Sequence, residues 1–176
     1  MSLDGQISVF DILRPDNHEN RISRNQMFMK IAEIVSLRST CDRARVGAVL
    51  VDPLNNVVSI GYNGSPHGEP HCDEVGHLLH NGHCIRTIHA EENCISHAVI
   101  VPHNEVAAPF TLYVTHYPCI KCQAILYETC INKGIKMLVL YKNEYSTHTN
   151  FEMLSGISNT IQFTHFKVDK EDQNTL

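Results

Sequence analysis

The chain has 176 residues, 43% of them hydrophobic and 19% charged, with a formal net charge of −5. These values describe one soluble domain, residues 1–176, with chain enough for a sizeable core and too little for two ordinary ones. They argue against a bilayer span and against gripping a long polyanion, which calls for a basic stripe.

Met1–Asp11 carries an acid and no basic cluster ahead of an apolar run. A secretory signal needs both, so the expectation is a cytoplasmic protein with neither membrane nor nucleic acid as partner. From Asn25 to Leu37, Met27, Phe28, Ile31, Ile34, Val35 and Leu37 fall near helical spacing and predict a first helix. Val46–Val51 is β-branched and apolar. It ends at the turn signal Asp52-Pro53-Leu54-Asn55-Asn56, and Val57–Ile60 resumes the pattern, which predicts a hairpin. Gly61–Gly82 is rich in Gly, Pro, His and Asn and is long for a loop, a sign of function or of external ordering. His89–Val101 suits a second helix and Thr111–Thr115 a strand. Cys119–Lys133 suits a third helix, stopped by Gly134. Lys136–Tyr141 reads as a strand, Phe151–Thr160 as a short helix, and Ile161–Val168 as a last strand before a polar end. Helix, two strands, then alternating helix and strand predict a three-layer α/β/α sandwich with a mixed five-stranded sheet.

Seven cysteines and twelve histidines are the unusual feature. Without an export signal, disulfides are not expected, and Cys spaced in short pairs beside His reads as metal binding. Cys94 and Cys130 sit in apolar stretches and read as core. The decisive residues are His89-Ala90-Glu91 and Pro118-Cys119-Ile120-Lys121-Cys122. A catalytic zinc needs three protein ligands and one open position. Cys119 and Cys122, three apart on a helix start, and His89 at the start of another helix, can supply them. Helix dipoles there favour thiolate over thiol, and Pro118 suits a helix start. Glu91 lies close to the metal without having to ligate it. It can take a proton from water and hand it on. A structural zinc with an incidental Glu is the bland alternative, and a lone Cys-x-x-Cys would favour it.

The joined His-x-Glu and Pro-Cys-x-x-Cys pattern is that of zinc deaminases. On these residues the chain resembles the cytidine and deoxycytidylate deaminase superfamily, and most closely its deoxycytidylate branch, which includes bacterial late-competence operon proteins. The resemblance runs from about residue 24 to residue 145. It also rests on Arg38-Ser39-Thr40-Cys41, Val46-Gly47-Ala48-Val49, Gly61-Tyr62-Asn63-Gly64-Ser65-Pro66 and the Asn93 after His89-Ala90-Glu91-Glu92. It implies hydrolysis of dCMP to dUMP, feeding thymidylate synthesis. It implies His89, Cys119 and Cys122 as zinc ligands, Glu91 as proton shuttle, and Asn63 and Tyr145 beside the nucleoside. Asn63 also suits a turn, and Tyr145 also suits a surface position. It further implies a homo-oligomer, often a hexamer, with dCTP and dTTP as effectors and Mg2+ accompanying an allosteric dCTP.

Arg43, Arg45 and Arg86 are candidates for a phosphate, because a guanidinium donates two parallel hydrogen bonds. Arg45 is the one assigned to the substrate site, with a solvated surface charge as the alternative for each. Some members of the family carry a structural zinc in the long loop. Here that region holds Cys41, His71, Cys72, His77, His80, His83 and Cys84. Cys41, Cys72, His77 and Cys84 form the expected second set, with His71 or His83 as substitutes; a metal would order a loop too polar to order itself. Rival readings are a deaminase of adenosine in transfer RNA or of single-stranded nucleic acid, a deaminase of dCTP or of free deoxycytidine, and a non-catalytic zinc module linked to DNA uptake. The net charge opposes the first. Enzymes acting on free nucleosides typically have Cys where this chain has His89, and the intact Glu91 opposes the last.

Overall fold

The computed structural model describes residues 21–103, 106–144 and 159–167. Helix α1 (Arg24–Ser36) begins on a reciprocal cap. The Gln26 N–H donates to the Ser23 hydroxyl at 3.1 Å, and the Ser23 N–H donates to the Gln26 side-chain oxygen at 2.6 Å. Two donors that a helix start leaves open are thereby satisfied. β1 (Gly47–Val51) and β2 (Val57–Tyr62) form the expected hairpin, with a register irregularity between Leu50 and Val51. Then follow α2 (Cys72–Val75), β3 (Leu79–His80), β4 (His83–Cys84), α3 (Ala90–Ser96), β5 (Phe110–His116), α4 (Ile120–Lys133), β6 (Met137–Asn143) and β7 (Ile161–His165).

The main sheet has five strands in the order β2-β1-β5-β6-β7. β1 is antiparallel to β2 and β5, whereas β5, β6 and β7 run parallel. Side chains alternate across it, as the pleat requires. Ala48, Leu50, Leu112, Val114 and Val139 pack with Ala90 and Cys94 of α3 and Leu126 and Cys130 of α4. Val49, Val51, Tyr113, Leu138 and Leu140 pack with Phe28, Met29, Ala32 and Val35 of α1. These are the three expected layers, and Cys94 and Cys130 are core residues in them.

Two glycines set how closely the helices approach the sheet. A Cβ at Gly47 would stand 2.0 Å from the Ala32 carbonyl oxygen of α1. A Cβ at Gly61 would stand 2.4 Å from both the Ala90 carbonyl oxygen and the Cys94 nitrogen of α3. Such contacts exist only without a side chain. The second one seats the helix that begins at His89.

Several boundaries differ from expectation. α3 stops at Ser96 rather than Val101. Val99, Ile100 and Val101 are β-branched, and Pro102 disfavours a helical residue before it, so the apolar run there is not helical. On α1 the buried face uses Met29, whereas Met27, Ile34 and Leu37 are exposed. The helix is apolar on more than one side, so spacing alone chose the wrong phase. The Gly61–Gly82 segment is not structureless, since it carries α2 and enters the β3–β4 hairpin. Most of the helix expected over Phe151–Thr160 lies outside the described residues, and Asn159 and Thr160 form a turn. Among the described residues no helix is long and apolar enough to cross a membrane.

Candidate active site

His89 and Cys119 both occupy N-cap positions, of α3 and α4, in extended backbone conformation. Pro118 therefore precedes the cap rather than opening the helix, and Cys122 lies in the first turn of α4. The three side chains converge. His89 Nδ1 is 3.4 Å from Cys119 Sγ and 3.3 Å from Cys122 Sγ. Tetrahedral zinc, with bonds of ~2.3 Å to sulfur and ~2.0 Å to nitrogen, holds such atoms about 3.6 Å apart. All three donor atoms lie within 4.8 Å of one another. The set fits a zinc ion with one position left open.

The charges suit that ion. A hydrogen bond from Cys122, opposed by burial and helped by His89, holds the Cys119 thiol down at about 3. The same bond, together with burial, pushes Cys122 well up. His89 is raised by its contact with Cys119, against burial. Glu91, in the first turn of α3, is 5% exposed, and burial pushes its carboxyl up to about 7. A carboxyl poised near neutrality can both take and return a proton.

The supports of this centre come from several elements. The buried Gln123 donates to the Pro118 carbonyl at 2.8 Å and so fixes the turn that presents Cys119. Asn93 donates to the Tyr62 carbonyl at 3.0 Å and ties α3 to the end of β2. Lys121 and Glu92 pair at 3.0 Å across the two helix starts. Gln123 gave no signal in the sequence, because a glutamine within a helix reads as solvated.

The centre opens into a cleft of about 250 Å³ lined by His89, Glu91, Cys119, Asn63, Arg43 and His83 among others. The Asn63 side chain is buried at its edge. Its oxygen accepts from Val46 N–H at 2.8 Å and its Nδ2 donates to the Ala44 carbonyl at 2.8 Å. One N–H and one lone pair of the amide remain beyond these bonds. Of the three arginines considered for a phosphate, Arg43 alone lines the cleft. Ala44 and Val46 line it too, whereas Arg45 between them is exposed and is not among the lining residues. Arg86 is not among the residues that line the cleft, and its buried Nε has no hydrogen-bond partner among the described residues. Tyr145 lies outside the described residues.

A second cluster brings together Cys41, Cys72, His77 and Cys84, with donor atoms within 4.8 Å of one another. Cys41 Sγ is 3.7 Å from His77 Nδ1, and Cys72 Sγ is 3.7 Å from Cys84 Sγ. Two sulfurs on a tetrahedral zinc stand about 3.8 Å apart, so this set also fits, as a closed four-donor site. His77 Nε2 meets Asp42 at 3.0 Å, the outer-shell carboxylate that orients a ligating imidazole. His71 and His83, the possible substitutes, are not in the cluster: His71 caps α2, and His83 faces the cleft.

An α/β sandwich that places a Cys-Cys-His centre and a buried carboxyl at two helix starts defines a class, the hydrolytic zinc deaminases. The model of the cytidine and deoxycytidylate deaminase zinc-binding region matches residues 22–138. ComE operon protein 2 of Bacillus subtilis (strain 168) is 43% identical over 163 residues, covering 89% of this chain and 80% of that protein. The deoxycytidylate deaminase of Schizosaccharomyces pombe is 32% identical over 160 residues, covering 86% of this chain but only 44% of that longer protein. The crystal structure of dCMP deaminase from the cyanophage S-TIM5, in complex with dCMP and dUMP, superposes with a TM-score of 0.60 at 27% identity, over 80% of this chain and 95% of that one. The chain belongs to the cytidine and deoxycytidylate deaminase family.

Proposed function

We propose that this protein hydrolyses dCMP to dUMP and ammonia. The observation that carries the reading is one cleft that joins the metal-ligand set to a cation. His89 and Cys119 of that set line it with Glu91, and among the described residues its sole Lys or Arg is Arg43. The cyanophage enzyme named for dCMP, and relatives named for deoxycytidylate, support the same substrate.

His89, Cys119 and Cys122 hold the catalytic zinc. When bound, zinc supplies the Lewis acidity that brings the pKa of a water to ~7. Glu91 takes one proton of the attacking water and delivers it to the ring nitrogen as the water oxygen bonds to the ring carbon. It then takes the remaining proton of that hydroxyl and delivers it to the amine, which leaves as ammonia as the carbon–nitrogen bond breaks and the carbonyl forms. Burial, which holds Glu91 near neutrality, lets one group serve as base and then as acid. Asn63 uses its remaining N–H and lone pair on the nucleoside. Arg43 faces the phosphate.

Cys41, Cys72, His77 and Cys84 hold a second, structural zinc. We infer effector binding by dCTP or dTTP, with Mg2+ beside an allosteric dCTP, and one further feature supports that reading. A separate cleft of about 900 Å³ is lined by Arg38, Thr40, Ser65 and His71 among others. There Ser65 Oγ and His71 Nδ1 are buried without hydrogen-bond partners among the described residues. Exposed Ile34, Leu37, Val99 and Val101 leave apolar surface for further copies in a homo-oligomer.

Ultraviolet assays with dCMP, deoxycytidine, dCTP and RNA offered separately test the assignment. Turnover is expected to be fastest by far with dCMP. Equal catalytic efficiencies for dCMP and deoxycytidine would move the protein to the nucleoside branch.

A further inference from the structure

The wall of the catalytic cleft near Arg43 is built from the second metal cluster. Gly82, in the tight turn between β3 and β4, and His83, which opens β4, line the cleft, and β4 ends in Cys84 of the cluster. Cys41, also of the cluster, begins the run that carries Arg43, Ala44 and Val46 along the cleft. Arg43 joins the two walls by donating through Nη2 to the Gly82 carbonyl at 2.8 Å. The first wall has its own anchor, because Asn63 pins Ala44 and Val46. The hairpin has little of its own. Its strands have two residues each and its Asn81-Gly82 turn has positive φ at both positions, 47° and 78°. A ribbon that short does not hold itself in water.

We infer that the Cys41–Cys72–His77–Cys84 centre, beyond stapling the loop, holds Arg43 and the Gly82-His83 tip in place and so sets the affinity of the catalytic cleft for the phosphate end of its substrate. The inference rests on the nucleotide reading above. A second effect acts in the same direction. The acid next to Arg43 in sequence, Asp42, is engaged by His77 Nε2, the nitrogen turned away from Cys41. Among the described residues no carboxylate pairs with Arg43. With one N–H on Gly82, its guanidinium keeps four for an anion. Loss of the centre both frees the tip and releases Asp42 to compete for Arg43.

The test uses full-length Glu91→Gln protein as the parent, so that substrate binds without turnover. Calorimetry gives the affinities for dCMP and for deoxycytidine, and elemental analysis gives zinc per chain. His77→Ala is expected to lose about one zinc per chain and to weaken dCMP about tenfold or more, while deoxycytidine changes less than about threefold. Arg43→Ala should do the same to dCMP with both zincs retained. The double variant should bind dCMP no worse than Arg43→Ala alone, because both changes remove one interaction. Asp42→Asn keeps all four donors and gives a reading should His77→Ala fail to fold. It should surrender the second zinc at lower chelator concentration and lose dCMP affinity in step. A dCMP-to-deoxycytidine affinity ratio that survives loss of the second zinc overturns the inference, as do fully additive effects in the double variant. A parent that binds the two compounds equally overturns the nucleotide reading instead.

Discussion

Gly61 of β2 lies against Ala90 of α3 so closely that a Cβ at Gly61 would stand 2.4 Å from the Ala90 carbonyl oxygen. Ala90 separates the candidate ligand His89 from Glu91. The missing side chain on the strand is therefore what places the first turn of α3, and with it the ligand and the carboxyl. Gly61→Ala should displace that turn at a cost of about 1–3 kcal/mol. The expected outcome is a lowered melting temperature together with weakened zinc retention against a chelator. Unchanged zinc affinity at a lowered melting temperature would reduce Gly61 to a packing role.

Gln123→Leu removes the buried donor to the Pro118 carbonyl and leaves that oxygen unpaired, a loss of about 1–3 kcal/mol. Because Pro118 directly precedes Cys119, the loss should appear as faster zinc release as well as lower stability. Gln123→Glu cannot donate when ionised and should show the same direction of change. Zinc release rates measured with a colorimetric chelator decide it.

His89→Ala and Cys119→Ala should each abolish catalytic zinc and turnover together. Three protein ligands leave no redundancy when the fourth position belongs to water. Elemental analysis is expected to show one zinc per chain in these variants, the remaining ion being the one held by Cys41, Cys72, His77 and Cys84. A full zinc complement in either variant would break the ligand assignment.

Removal of the second zinc should lower stability before it touches the chemical step. Metal binding to a set absent from the unfolded chain is folding free energy. For a chain of this size each 1 kcal/mol corresponds to about 2–4 °C in melting temperature. Cys84→Ala is expected to lower the melting temperature by several such increments while kcat on saturating dCMP stays within about threefold of the wild type. A kcat that collapses with KM unchanged would place the second cluster in the chemistry instead.

Much of this was legible in the sequence because the chemistry is local. His89-x-Glu91 and Cys119-x-x-Cys122 each sit within one helical turn, so spacing alone fixes their relative positions. The second cluster was legible for another reason. Cysteine and histidine at that density in a polar loop have no packing rationale, and the structure brings together the same four residues. What the sequence hid was long-range. Arg43 was not separable from Arg45, because the carbonyl that holds it belongs to Gly82, 39 residues further along the chain. The end of α3 was misread because Val99-Ile100-Val101 continues an apolar pattern that Pro102 forbids as a helix.

The central claim is that Glu91 moves the protons of a hydrolytic deamination without binding the metal. The most direct measurement is the steady-state rate of Glu91→Gln on dCMP, with zinc per chain determined on the same preparation. The substitution keeps size and shape and removes only the titrating group. The account predicts the wild-type zinc content and a rate lower by at least ~10²-fold. Near wild-type turnover at full zinc content would contradict it.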